Sequence, residues 1–326
     1  MRANEFLIEA DPALKKQIIG IVKQTEDDEL LHRVLSTLNS SNLNTRLYAA
    51  LKTDKDAGHI VDAVASIITN ANGTHAEKDA FIKQFSEKFI NTSVLFSGSR
   101  VSYADFVQEG FPLRVFADMV VAPALRPQGV GPGELALAIM SKHIHFTGQS
   151  QTAGDISVDG VGHVEVKASV KSGGRWINPR KARINVEAIR AALEKTLDIQ
   201  IPDRVSISNW AAPGGIREQI LHQKQQDLKP IARIIGKGLF HHVDSSNFQK
   251  ALVSGTAEDI NQWYLSTGFE NYKTYSGFTG LLMLDTNAQT AHYFADYEHM
   301  AGFIKAGVAY VLAPDGECMP KVLLVA

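Results

Sequence analysis

Glu134, Asp155, Glu165 and Lys167 are the residues of this chain whose types and spacing could do chemistry together. In a strand, successive side chains alternate faces. In HVEVKAS (163–169), Glu165 and Lys167 therefore share one face and Val164 and Val166 the other. Asp155 opens the preceding short strand, DISV (155–158), which DGVG (159–162) joins to it. A three-residue loop of Gly160, Val161 and Gly162 sets Asp155 opposite Lys167 and diagonal to Glu165, all on one side. A two- or four-residue loop turns Asp155 away unless a bulge restores it.

Two carboxylates a few ångströms apart are costly unless a cation neutralises them. Their oxygens suit a hard cation such as Mg²⁺, with Mn²⁺ as a substitute. The expected ligands are Asp155 and Glu165, with the Val166 carbonyl as a third. Glu134, in the first turn of a helix, adds a carboxylate that could support a second ion. Such an ion can polarise a phosphodiester and lower the pKa of a bound water. Lys167 could position or deprotonate that water, or stabilise the charge developing on phosphorus.

From Lys167 to Arg190 there are seven positive residues and one negative, Glu187, in a chain whose overall net charge is −2. Lys171, Arg175, Arg180, Lys181 and Arg183 are expected to hold flanking phosphates, with Gly173 and Gly174 letting backbone N–H groups approach them. Trp176 could stack on a base or anchor the loop.

The series GPGE, then GD, then VEVK resembles the PD-(D/E)xK nuclease superfamily: a helix-borne Glu, a strand Asp, then Glu/Asp-x-Lys on the next strand. Glu134, Asp155, Glu165 and Lys167 match those positions in order, and the usual Pro before the Asp is Gly154 here. The resemblance covers residues 130 to 185, less than a fifth of the chain. VEVKASVKSGGRW is also similar to nucleases carried by tailed bacteriophages. The resemblance implies a restriction-endonuclease-like mixed sheet of four strands flanked by helices, and Mg²⁺-dependent cleavage of DNA phosphodiesters.

The elements that must position these residues read as follows. Residues 1–92 form a helical accessory domain: DELLHRVLSTLN (28–39), AGHIVDAVASIIT (57–69) and HAEKDAFIKQFSEKF (75–89) space apolar residues three and four apart, and Thr74 offers an N-cap. Residues 93–326 mix helices and strands around one sheet, an α/β (α+β) core. FPLRVFADMVVAPAL (111–125) fits helix or strand. ELALAIMSKHI, residues 185–197 and GIREQILHQKQQ read as helices, and RVSISNW (204–210) as a strand. GLLMLDTNAQTAHYF and AYVLAPDGECMPKVLLVA read as hairpins turning near Asn287 and Asp315-Gly316.

The near-neutral charge means that any polyanion must be met by local positive charge. Cys318 is the single cysteine, which excludes an internal disulfide and a cysteine-built zinc site. The charged start, MRANEFLIEADPALKK, is no signal peptide, and no apolar run nears the roughly 20 residues of a membrane span. The expected location is the cytoplasm of a bacterial or phage-infected cell, or a virion, with DNA and no membrane as partner. The N-terminal helices are the expected surface for a protein partner or self-association.

Other signals are weaker. His143 and His145 lie two apart near a helix end and fit a capping or surface role. His241-His242 follows GKGLF with no evident acidic partner in the sequence. GVGPGE ends in Glu where a dinucleotide fingerprint has Gly, and Ser208 lies outside any G-x-S-x-G. The competing function is a non-enzymatic structural or scaffold protein, of a phage particle, that binds nucleic acid or protein.

Overall fold

The structure is a computed structural model describing residues 28–38, 54–85, 89–122, 130–147, 154–170, 173–175, 186–201, 205, 207–224, 227–308 and 321–324. It is mixed α/β. The strands are β1 (Arg100–Ser102), β2 (Ile144–Phe146), β3 (Ile156–Val158), β4 (Gly162–Ser169), β5 (Gly173–Arg175), β6 (Gly280–Asp285), β7 (Thr290–Phe294), β8 (Ile304–Val308) and β9 (Lys321–Leu324). Two compact units divide the chain: Met1–Thr92 with Tyr103–Gln149, and Ser93–Ser102 with Ser150–Ala326.

The first unit is mainly helical. Thr74 caps the helix His75–Lys83. Its hydroxyl accepts from the Glu77 N–H at 3.2 Å, and the Glu77 carboxylate accepts from the Thr74 N–H at 2.7 Å. Phe81 of that helix stacks on Phe89 and meets Phe111 edge-on. The ambiguous stretch after Gly110 is the helix Phe111–Val121. Pro112 in its first turn fits there because that position has no intrahelical N–H bond to lose. The helix Pro132–Met140 is buried at every position from Leu135 to Met140, as a helix apolar on all sides must be.

Five strands of the principal sheet belong to the second unit, in the order β1-β7-β6-β4-β3. β4 runs parallel to β6 and antiparallel to β3, and β7 is antiparallel to β6 and β1. Every residue of β6, GLLMLD, is buried, which fits a strand covered on both faces. The expected hairpin to β7 forms, and the Asp285 carboxylate accepts from the Asn287 and Ala288 N–H groups in its turn. A second sheet has the order β5-β9-β8. The segment read as a basic loop thus has a strand at Gly173–Arg175. β8 pairs antiparallel with β9, but it precedes the segment 309–326 read as the last hairpin, whose first arm and Asp315-Gly316 lie outside the described residues.

RVSISNW is not a strand where it is described: Ile207–Ala211 is helical. Ile207, Trp210 and Ala211 are spaced three and four apart, and Trp210 is buried in a helical core with Ile231, Ile235 and Phe248. The helix Ala257–Ser276 joins two cores. Ile260 and Tyr264 pack into that helical cluster, whereas Leu265, Phe269 and Tyr272 pack with Phe278, Leu281, Met283 and Phe294 beside the sheet. It starts at a Thr256–Asp259 capping box and stops at Gly277, whose φ of 65° is left-handed. Among the described residues no helix is long and apolar enough to cross a membrane.

Candidate functional site

The β3–β4 hairpin decides which residues meet. Val158 pairs with Gly162 and Ile156 with Val164, and the Val161 N–H donates to the Val158 carbonyl at 3.1 Å. The loop is therefore Asp159-Gly160-Val161, three residues long and starting one position before Gly160. A shift at both ends moves the register by two and leaves the faces unchanged. Asp155, just before β3, consequently falls opposite Glu165 rather than Lys167.

Gly154 fixes the approach. Its φ is 63°, and its N–H donates to the Ser276 carbonyl at 2.9 Å. The Asp155 N–H then donates to the Val164 carbonyl at 3.0 Å, and the Asp155 Oδ2 accepts from the Val166 N–H at 2.8 Å. The N–H and C=O of one strand residue share an edge, so the Val166 carbonyl lies on the same edge as the Asp155 carboxyl. Across the strand, Glu165 pairs in register with Leu281 and Lys167 with Met283. Both partners belong to the core that includes Phe269 and Tyr272, so the helix Ala257–Ser276 covers this face. Val164 and Val166 are buried on the other.

Glu165 is only 6% exposed. Its Oε1 accepts from both the Lys167 Nζ and the Tyr272 hydroxyl. The Lys167 Nζ also sits 5.5 Å from the centre of the Tyr272 ring, and Phe278 packs edge-on against that ring at 5.1 Å. A quarter of the Lys167 side chain is exposed, against 7% for Glu165.

These neighbours push the two carboxyls apart. Burial raises Asp155 to about 7, and the charge of Glu165 adds to it, against the opposing pull of Lys167 and the Val166 N–H. Burial also works to raise Glu165. The Lys167 charge, with hydrogen bonds from Lys167, Tyr272 and Asp155, outweighs it and holds Glu165 below the usual value. Lys167 is pulled down by burial but held well above its ordinary value by Tyr272, Glu165 and Asp155. Glu165 is thus the more acidic member of the pair, and Asp155 the one that keeps its proton to higher pH.

The structure thus brings together Asp155, Glu165, Lys167 and the Val166 backbone. Glu134 belongs to the first unit. It is half-buried in the first turn of Pro132–Met140, with its carboxylate folded back over Gly131. Among the described residues no three His, Cys, Asp or Glu side chains gather in a metal-binding group. Arg175 takes its backbone place on β5 opposite Lys321, while Lys171, Trp176, Arg180, Lys181 and Arg183 lie outside the described residues. Arg190 is engaged structurally, donating to the Ile201 carbonyl at 2.8 Å. The His143 N–H donates to the Ser141 hydroxyl, and His145 is exposed on β2. His242 packs against Tyr275, and Ser208 lies in the helix Ile207–Ala211.

Tyr272 is the residue of the cluster that the sequence did not single out. It lies 105 residues after Lys167 at a helical position where an aromatic side chain ordinarily signals core packing, so no local pattern marks it. Compared with protein-family models, curated proteins and solved structures, the chain has no match.

Proposed function

We propose that the protein is a metal-dependent nuclease that hydrolyses DNA phosphodiester bonds at the Asp155–Glu165–Lys167 cluster, on a restriction-endonuclease-like core. The observation that carries this reading is the opposition of two carboxyl groups on adjacent strands, close enough that burial and the charge of Glu165 raise Asp155 to about 7, with a lysine on the same face. Asp155, Glu165 and the Val166 carbonyl are hard oxygen donors on one edge, a set that fits Mg²⁺ or Mn²⁺.

When bound, the ion supplies Lewis-acid activation of the phosphodiester and a more acidic water. The chain supplies the rest. Asp155, once ionised, would be one of the residues to hold the ion, and the Val166 N–H orients its Oδ2. Lys167, held as a cation, places positive charge where the phosphorane becomes more negative. Lys171, Arg175, Arg180, Lys181 and Arg183 are proposed to hold the flanking phosphates.

The test is incubation of the full chain with linear, circular and single-stranded DNA in Mg²⁺, Mn²⁺ or EDTA. Cleavage is expected with either metal and none in EDTA. Asp155→Ala should lower the rate roughly 10³-fold or more while remaining folded.

One observation favours a second reading. Glu165 is buried, with two donors on one oxygen, and such a satisfied ion pair can serve packing alone in a structural or scaffold protein. DNA binding without cleavage across all metals and substrates would establish that alternative.

A further inference from the structure

We infer that Tyr272 is a positioning residue of this site, fixing Glu165 as a one-oxygen ligand for a divalent cation. The inference rests on the metal-site reading of Asp155 and Glu165, but not on cleavage. The Tyr272 hydroxyl and the Lys167 Nζ both donate to the same Glu165 oxygen, Oε1. With Oε1 held by two donors, Oε2 is the oxygen left to turn, together with Asp155, to a shared cation once the proton between the two carboxyls is gone. A carboxylate held this way cannot swing to a two-oxygen mode without breaking both bonds.

The elements make the arrangement stiff. Tyr272 sits in the last two turns of the helix Ala257–Ser276, and the Ser276 carbonyl at the end of that helix accepts from Gly154, the residue before Asp155. One helix end is therefore bonded to both sides of the carboxyl pair, to Asp155 through the backbone and to Glu165 through the phenol. Thr279, just beyond, donates from its N–H and its hydroxyl to the His163 carbonyl, each at 2.7 Å, and so anchors the start of β4 to the same chain segment. The Tyr272 ring packs on Phe278 and beneath the Lys167 ammonium. Tyr272→Phe removes the hydroxyl and leaves these ring contacts.

The experiment titrates Mn²⁺ into the full chain and follows free Mn²⁺ by electron paramagnetic resonance. It compares wild type, Tyr272→Phe and Asp155→Ala, with thermal unfolding in EDTA as the control for folding. Wild type should bind Mn²⁺ and Asp155→Ala should not. Tyr272→Phe should unfold cooperatively near the wild-type temperature but bind Mn²⁺ roughly 10- to 100-fold more weakly, the range for loss of an outer-shell partner. The bound-Mn²⁺ signal should also change shape as Glu165 gains freedom. Equal Mn²⁺ affinity in folded Tyr272→Phe overturns the inference and leaves the nuclease reading standing. Wild type that binds Mn²⁺ and cleaves no DNA overturns the nuclease reading, and the affinity ratio still decides the role of Tyr272. Wild type that binds no Mn²⁺ overturns both.

Discussion

At the scale of single residues, Gly154 shows why this chain departs from the pattern it resembles. A proline there would fix φ near −65° and remove the N–H, whereas the backbone needs φ of 63° and donates that N–H to Ser276. A Cβ at this position would also stand 3.0 Å from the Val164 carbonyl oxygen. Gly154→Ala is expected to cost about 1–2 kcal/mol and Gly154→Pro about 3 kcal/mol or more, measured as shifts in the urea midpoint. An alanine variant as stable as wild type would show that the left-handed backbone is not required. His292 makes a second residue-scale prediction. Burial lowers its pKa to about 4, with the charges of His299 and Arg100 adding, although its Nε2 contacts the Gly98 carbonyl at 3.2 Å. A folded value below the ordinary histidine value of 6.5 means that the folded state binds fewer protons. Stability from this group is present above pH 6.5 and lost progressively as pH falls toward 4. The melting temperature of His292→Phe, which suits the surrounding Phe294 and Phe303 rings, should fall less steeply over that window than that of wild type. Parallel curves would exclude His292 as a source of acid sensitivity.

At the scale of elements, the helix Ala257–Ser276 governs the site. Its residues carry no catalytic motif, and its apolar pattern is interrupted by polar side chains. Its ends are nevertheless written locally: Thr256 and Asp259 form a capping box, and Gly277 takes the left-handed stop. Removing the cap in Thr256→Ala should cost about 1 kcal/mol, read by denaturant unfolding. The cap lies several turns from Tyr272, so Mn²⁺ affinity should be unchanged at temperatures where the fold is intact. A loss of affinity would mean that the helix transmits disorder from its first turn to its last. The β3–β4 hairpin is the contrasting element. A three-residue loop was one of the lengths DGVG allowed, and the common face of Glu165 and Lys167 was legible from the alternation of HVEVKAS. The one-position placement of the loop was not, because Asp159 and Gly162 both tolerate turn conformations and only the ladder decides between them.

At the scale of the whole molecule, the division into units changes what a truncation should do. Residues 103–149 group with the N-terminal segment, and Phe111 packs against Phe81 at 5.4 Å between ring centres. Ile90 also bridges to Val107. A chain beginning at Asn91 would uncover Phe111 and the apolar face of Phe111–Val121. It is therefore expected to aggregate, as measured by light scattering. A chain beginning at Ser150 would retain the second unit except Ser93–Ser102, and with it Asp155, Glu165, Lys167 and Tyr272. A monodisperse, cooperatively melting protein starting at Asn91 would show that the N-terminal helices are dispensable to that packing.

The sequence by itself determined the helices of the N-terminal region, the Thr74 cap, the β6–β7 hairpin and the shared face of Glu165 and Lys167. These depend on periodicity, on caps and on side-chain alternation along a few consecutive residues. The tertiary structure decided that Asp155 opposes Glu165, that Ile207–Ala211 is helical around a buried Trp210, and that a tyrosine more than a hundred residues away closes over the carboxyl pair. Those outcomes depend on which surfaces pack together. A buried tyrosine that bonds a carboxylate and one that merely fills a core look the same along the chain, and only the neighbour across the interface distinguishes them.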